Sequence, residues 1–261
     1  MDSLQRIQPV PPQSAADGDI SRIGPGEAVI SVWPQPRRVG GSLYLRLGKR
    51  IVDTVGAVAG LAITSPVLLL CAVAVRLDSR GPIFYRQRRV GQYGRSFRIF
   101  KFRTMIDGTD QNGSKLTAFG DARITRVGKI LRNTKLDEIP QLLNVVRGEM
   151  SLVGPRPEVP EYTDKYTSKE RRVLEVRPGI TGPASLAYID EERILAAADD
   201  RENFYVNTIM RRKLRVDLAY CRTVCLLGDA RILFRTGGSL VGLRYSRRRE
   251  NPRASQSSDR S

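Results

Sequence analysis

The chain has 261 residues, with 44 Lys and Arg against 27 Asp and Glu, a formal net charge of +17, and no histidine. Missing histidine excludes Ser-His-Asp and Cys-His catalysis and histidine-held zinc or haem. The charge calls for a polyanionic partner such as nucleic acid, anionic lipid or a phosphorylated substrate, and a hydrophobic content of 41% excludes a bundle of many membrane spans.

Residues 1–40 are rich in Pro, Gln, Ser and Gly without periodicity, which predicts a disordered tail, and they contain no apolar core of a secretory signal. Residues 41–80 hold a run of 22 uncharged residues from Thr54 to Val75. A straight helix of that length spans roughly 33 Å, enough for a bilayer's hydrocarbon core. Ser65-Pro66 lies at its midpoint, and basic residues crowd both flanks, Arg37 to Arg50 before it and Arg76 to Arg89 after it. Lys/Arg-rich flanks stay cytoplasmic, so both ends are pulled to one side. The pattern predicts a re-entrant helix broken at Ser65-Pro66, with the hydroxyl of Ser65 or Thr64 meeting the backbone groups freed by proline. An ordinary kinked span is the alternative.

Residues 84–105 carry seven basic residues, no acid and interleaved aromatics. Alternation through Phe97–Phe102 predicts a strand after a turn at Gly91 and Gly94, on a phosphate- or headgroup-binding surface. Residues 107–122 read as loop. Apolar spacing over residues 123–150 predicts two short helices, the second starting near Asn133-Thr134 and bent at Pro140. The Pro/Gly-rich stretches 151–162 and 176–188 read as ordered loops. Residues 202–235 read as helical, either an amphipathic pair on a membrane surface or helices on the core. An Arg/Ser-rich tail follows from Gly237. Cys71, Cys221 and Cys225 lack CxxC spacing and read as small buried residues in a reducing compartment. The pattern as a whole predicts a small α/β domain, mostly helical, over residues 81–236, with the re-entrant segment before it and amphipathic helices at its surface.

Asp137-Glu138 is the most suggestive pair. Adjacent acids at a helix start can simply complement the helix dipole, with Thr134 and Asp137 at capping-box spacing. Arg132, the loop Gly154-Pro155-Arg156-Pro157, and Lys101 and Arg103 change that weighting. Two carboxylates ringed by fixed cations suit phosphate chemistry: one acid attacks phosphorus or holds a divalent metal while guanidinium groups bind phosphate oxygens. The cations are expected to depress the pKa of Asp137. A Walker A loop is absent. A basic membrane adaptor or nucleic-acid-binding protein with a merely capping dyad stays open on these residues alone.

KFRTM (101–105), LRNTKLDEIPQLLNVVRGEMSLVGPRPE (131–158) and RPGITGPASLAY (177–188), with Lys49, Arg50, Asp53 and Ser65-Pro66, resemble the bacterial sugar transferase family, the monotopic phosphoglycosyl transferases acting on polyprenyl phosphate. The resemblance implies transfer of a sugar-1-phosphate from a UDP-sugar to undecaprenyl phosphate with release of UMP. That step initiates exopolysaccharide, capsule, O-antigen or glycoprotein glycan assembly. It implies Asp137 as the nucleophile forming a phosphosugar-enzyme intermediate, and Glu138 as a base or metal-supporting partner. Mg²⁺ near Asp137, and Lys101, Arg132, Gln141 and Arg156 lining the site, follow from the same resemblance. For Arg103, Glu149 and Arg177 it leaves a structural role open beside a binding one. The implied location is the bacterial inner membrane with both termini cytoplasmic, in contact with anionic lipids and without a nucleic-acid partner; homo-oligomerisation is left open. Lys135 stands where the family often has Ser, and PASLAY after Gly182 is one of several variants, which leaves the sugar unidentified. The N-terminal tail without transmembrane helices resembles the short form of the family.

Overall fold

The uncharged run forms the middle of one helix, α1 (Lys49–Asp78), in a computed structural model that describes residues 44, 48–108 and 121–240. The expected break is absent: the helix runs through Pro66. Proline lacks the N–H that would bond the carbonyl four residues back. Here that carbonyl, Ala62 O, accepts instead from Ser65 Oγ at 2.8 Å, while Thr64 Oγ1 donates to Gly60 O at 2.6 Å. Ser65 therefore meets the carbonyl that proline frees, as expected, within a helix that stays continuous.

Both ends of α1 are fastened to the same domain. At the start, Asp53 accepts from Ser151 Oγ at 2.7 Å and from Leu152 N at 3.1 Å, and Lys49 pairs with Asp229 at 2.6 Å. Ala57 packs with Val145 and Met150. At the other end Cys71 and Val75 pack with Phe102 and Leu131, and Asp78 accepts from Val127 N. Between these anchors Ile63, Leu69 and Leu70 are exposed, and the helix is long and apolar enough to cross a membrane.

The predicted strand is β2 (Ser96–Phe102), the second arm of a hairpin whose first arm, β1 (Phe84–Val90), the sequence reading did not separate. The antiparallel register sets Phe84 against Phe102 and Val90 against Ser96. Phe97 and Ile99 enter the core, while the guanidinium groups of Arg86 and Arg147 lie over the Phe100 ring.

Helix α2 (Arg126–Thr134) starts at Thr125, whose Oγ1 accepts from Gly128 N. Gly128 lies so close to the next segment that a Cβ would come within 2.1 Å of Thr104 O. Asn133-Thr134 end this helix and do not open the next one. Thr134 Oγ1 turns back to Ile130 O, and Lys135 adopts a left-handed conformation with φ of 59°. A 3₁₀ turn (Leu136–Gln141) containing Pro140 follows, then α3 (Leu142–Arg147).

The loops expected at 151–162 and 176–188 contain a short parallel pair, β3 (Ser151–Val153) and β4 (Gly179–Thr181), and two one-turn helices, Pro160–Thr163 and Pro183–Ala187. The helical region after residue 201 resolves into α4 (Met210–Thr223) and α5 (Leu226–Leu240). Helix α4 belongs to the core, burying Met210, Leu214, Val216 and Tyr220, so the membrane-surface alternative fails for it. Helix α5 buries Ile232 and Asp229 while leaving Leu227 and Phe234 exposed, as an amphipathic surface helix does. It also carries regular structure past Gly237, where the tail was expected to start. Residues 1–40, most of the 107–122 loop and the tail beyond 240 lie outside the described residues. Of the cysteines, Cys71 is buried, Cys221 half-buried and Cys225 exposed, so the buried reading holds for the first alone.

Candidate active site

The left-handed residue Lys135 reverses the chain after α2, so the 3₁₀ turn brings both acids of the dyad onto the wall of one cleft of about 1400 Å³. A non-glycine residue in that conformation is uncommon, and here the reversal positions chemistry. Lys101, from the end of β2, and Arg156, from the loop after β3, line the same cleft.

Glu138 is fully engaged. Lys101 Nζ donates to its Oε1 at 2.8 Å, Arg156 donates through one nitrogen to Oε2 at 3.0 Å, and the other nitrogen closes on Oε1. Burial alone would raise its pKa, but the Arg156 guanidinium and the Lys101 ammonium hold it well below the usual carboxylate range. Lys101 is itself lowered, by burial first and by the charges of Arg156 and Arg89 against those of Glu138 and Asp137.

Asp137 is in a different state. It is 7% exposed, and its buried Oδ1 accepts no hydrogen bond. Burial first and the charge of Glu138 second raise its pKa above the ordinary value, against the opposing pull of Lys101, Arg132 and Lys135. The expected depression by surrounding cations is thus reversed: the strongest cations are spent on Glu138, and desolvation outweighs the rest.

Other predicted site residues divide. Arg132 lines the cleft with the dyad. Arg103 also lines it, but its NH2 grips the end of α1, donating to Ser79 O at 2.7 Å and Ser79 Oγ at 2.9 Å. Gln141, the last residue of the turn, is fully buried with its side-chain amide unpaired, and it is not part of the cleft wall. Arg177 lies off the cleft as well, donating to Gly148 O at the end of α3, where a cation complements the helix C-terminus. Glu149 accepts from Asn144 Nδ2 and is structural. Lys49 and Asp53 anchor α1, and Arg50 donates to the carbonyls of Val145 and Val146.

A second polar group on the cleft wall escaped the sequence reading. Glu158 accepts from the Tyr205 hydroxyl and pairs with Arg89 at 3.6 Å and Lys213 at 3.7 Å, and Lys213 also pairs with Glu191 at 2.9 Å. Only Glu158, in the Pro-Arg-Pro-Glu stretch, gave a signal; the others come from separate segments.

Among the described residues no three His, Cys, Asp or Glu side chains converge as a metal cage. A Mg²⁺ ion, however, commonly takes only one or two carboxylates and completes its shell with substrate phosphates and water. The unengaged oxygen of Asp137 fits that mode, and the clamped carboxylate of Glu138 does not.

The chain is similar in sequence to several known proteins. The chain is 37% identical over 225 residues to a UDP-glucose:undecaprenyl-phosphate glucose-1-phosphate transferase of Caulobacter vibrioides, covering 84% of this chain and 78% of that one. It is 38% identical over 193 residues to a UDP-N-acetylgalactosamine-undecaprenyl-phosphate N-acetylgalactosaminephosphotransferase of Aeromonas hydrophila, covering 72% of this chain and 42% of the relative. An undecaprenyl-phosphate glucose phosphotransferase of Komagataeibacter xylinus is 39% identical over 201 residues, 73% of this chain and 35% of the relative. The chain therefore spans about two fifths or less of those last two proteins. One family model, described as bacterial sugar transferase, matches residues 44–242, from five residues before α1 to two past α5. With α1, the hairpin, the dyad turn and the closing helices all inside that match, the chain belongs to the bacterial sugar transferase family.

Proposed function

We propose that the chain transfers a sugar-1-phosphate from a UDP-sugar to undecaprenyl phosphate, releasing UMP, through a covalent intermediate on Asp137. The observation that carries this reading is the inequality of the two acids: Glu138 is saturated by Lys101 and Arg156, while Asp137, beside it in the same cleft, keeps an oxygen with no partner. Named activities of the relatives, all transfers from nucleotide sugars or onto undecaprenyl phosphate, support it.

In the first half-reaction an Asp137 carboxylate oxygen forms a bond to the β-phosphorus of the donor. The bond from that phosphorus to the oxygen bridging to the α-phosphate breaks, and UMP leaves with the electron pair. In the second, a phosphate oxygen of the lipid acceptor bonds to the same phosphorus and Asp137 departs as carboxylate, which leaves a lipid diphosphosugar. The acceptor phosphate is already an anion, so neither half-reaction needs a general base. That agrees with a Glu138 held far below the pH at which a carboxylate serves as one. Glu138 instead fixes Lys101 and Arg156 in place, and these cations, with Arg132, face the charge that develops on the phosphoryl oxygens. Asp137 would hold Mg²⁺ together with the donor's phosphates, and the ion would supply neutralisation of the diphosphate charge.

We place the reaction at the cytoplasmic face of the bacterial inner membrane, with the unbroken α1 held along that one face. A helix that crossed the bilayer would carry one end to the far side, yet this domain binds α1 at Asp53 and again at Asp78. Exposed Ile63, Leu69 and Leu70 between the anchors, and Leu227 and Phe234 on α5, offer apolar surface to lipid. The test is UMP release by protein purified in detergent with Mg²⁺, a UDP-sugar and undecaprenyl phosphate. Turnover by the wild type that is lost in Asp137→Asn supports the reading, and full activity in Asp137→Asn overturns it.

A further inference from the structure

We propose that the cleft wall built by residues 158–213 is the donor-sugar subsite, and that Glu191 and Ser185 read the hydroxyl groups of an uncharged sugar there. The inference rests on the transferase reading and names the residues that choose its donor.

The segments that line the cleft differ in charge. Arg103 and, from α2 and the residue after it, Lys129, Arg132 and Lys135 bring cations, whereas residues 158–191 bring Glu158, Asp190 and Glu191. Phosphates are drawn to the first set, while the carboxylate side, its charge offset by Arg89 and Lys213, suits the part of the donor that bears hydroxyls and no charge. Both the sugar and the uridine meet that description, and their distance from the reacting phosphorus separates them. The sugar is bonded to the β-phosphate through one oxygen, while the uridine lies beyond a further phosphate. Arg89 joins the carboxylate side directly to the reacting centre: it pairs with Glu158 at 3.6 Å, and its charge acts on Arg156 and Lys101, the two cations that hold Glu138. The group nearest the phosphorus is therefore the one this wall receives.

The wall has the chemistry for that group. Lys213, almost wholly buried, pairs with both Glu158 and Glu191, and Tyr205 donates to Glu158, so these side chains are fixed before a ligand arrives. Glu191 uses only Oε2 on Lys213, which leaves Oε1 to accept from a hydroxyl. Ser185 Oγ is buried on the cleft wall without a hydrogen-bond partner. A buried polar group left unpaired costs free energy that a matching ligand hydroxyl restores and a mismatched one does not. The rings of Tyr162 and Tyr205, buried and packed 4.9 Å apart, hold this wall rigid from behind. Three carboxylates disfavour a uronic acid.

The experiment compares wild type, Glu191→Gln and Ser185→Ala in detergent with Mg²⁺ and undecaprenyl phosphate. For UDP-glucose, UDP-galactose and their two N-acetylated amino-sugar counterparts it measures kcat/KM from UMP release, and the inhibition constant of UMP alongside. The expected result is a change of about tenfold or more in the ratio between two donors in at least one variant, with UMP inhibition unchanged. Glutamine keeps the shape and an acceptor oxygen for Lys213, and Ser185 bonds nothing whose loss would unfold the chain. A common fall for all four donors, or ratios that do not move, overturns the proposal. Weakened UMP inhibition also overturns it, since the uridine would then occupy this wall. Wild-type protein that releases UMP from none of the donors fails the transferase reading itself, whereas wild-type turnover with unmoved ratios fails the subsite alone.

Discussion

Arg156 sets both terminal guanidinium nitrogens on the carboxylate of Glu138. That pairing divides two acids adjacent in sequence into an ionised anchor and a buried carboxyl with an unused oxygen. A bidentate pair of this kind is stronger and more directional than a single charged contact.

Arg156→Lys keeps the charge and loses the fork. UMP release should fall at least about tenfold, and stability by about 1–3 kcal/mol, because the replacement leaves part of a buried carboxylate without its donor. Steady-state kinetics and thermal unfolding of the same preparation check both; an unchanged rate would show that the fork does not order the site.

The pKa of Asp137 is raised by burial and by the neighbouring charge of Glu138. Because the ionised form is the nucleophile, the rate should fall as pH drops through that raised value, above the ordinary carboxylate midpoint of about 4. Glu138→Gln removes the like charge and releases Lys101 and Arg156 to act on Asp137. The acid limb of the kcat/KM profile should therefore move to lower pH among the surviving activity, and movement to higher pH would contradict this.

Asp217 lies in α4, and burial pushes its carboxyl up to about 7 against the pull of Lys213. The folded chain then holds this proton more tightly than the unfolded chain, whose Asp titrates near about 4. The contribution to stability is complete below that value and is lost as pH rises towards about 7. Asp217→Asn should flatten the stability profile over this window and raise stability at pH 8 by about 1–3 kcal/mol, as read by denaturant unfolding. A slope unchanged by the substitution would place the titration elsewhere.

With Cys71, Cys221 and Cys225 replaced by Ala, single cysteines at Ile51 and Arg80 flank the exposed middle of α1. A membrane-impermeant maleimide should label neither in intact spheroplasts and both in inside-out vesicles. Labelling of one position from outside would mean that α1 crosses the bilayer.

Much of this was legible from residue order. Alternation at Phe97–Phe102 marked β2, the uncharged run marked α1, and Asp137, Glu138, Lys101, Arg132 and Arg156 do share one cleft. Three things were not legible, each for a physical reason. Lys135 looks like a helix residue, yet it takes the left-handed capping conformation that ends α2 and turns the dyad inward. The cations around Asp137 could be counted in the sequence, but its burial could not, and burial decided the sign of its pKa shift. Glu158, Lys213, Glu191 and Tyr205 come from segments up to 55 residues apart, so no local pattern announced that they meet. Ser65 shows the converse: the proline predicted a break, and the helix continues with the hydroxyl beside it donating to the freed carbonyl.

The most direct measurement is the intact mass of the protein after incubation with its UDP-sugar and Mg²⁺ in the absence of undecaprenyl phosphate. The account predicts release of UMP and a gain of one sugar-phosphate unit, of the donor's own sugar, on the peptide containing Asp137, discharged when the lipid phosphate is added. Continued turnover on adding the acceptor, with the mass unaltered beforehand and no UMP released without it, would contradict it.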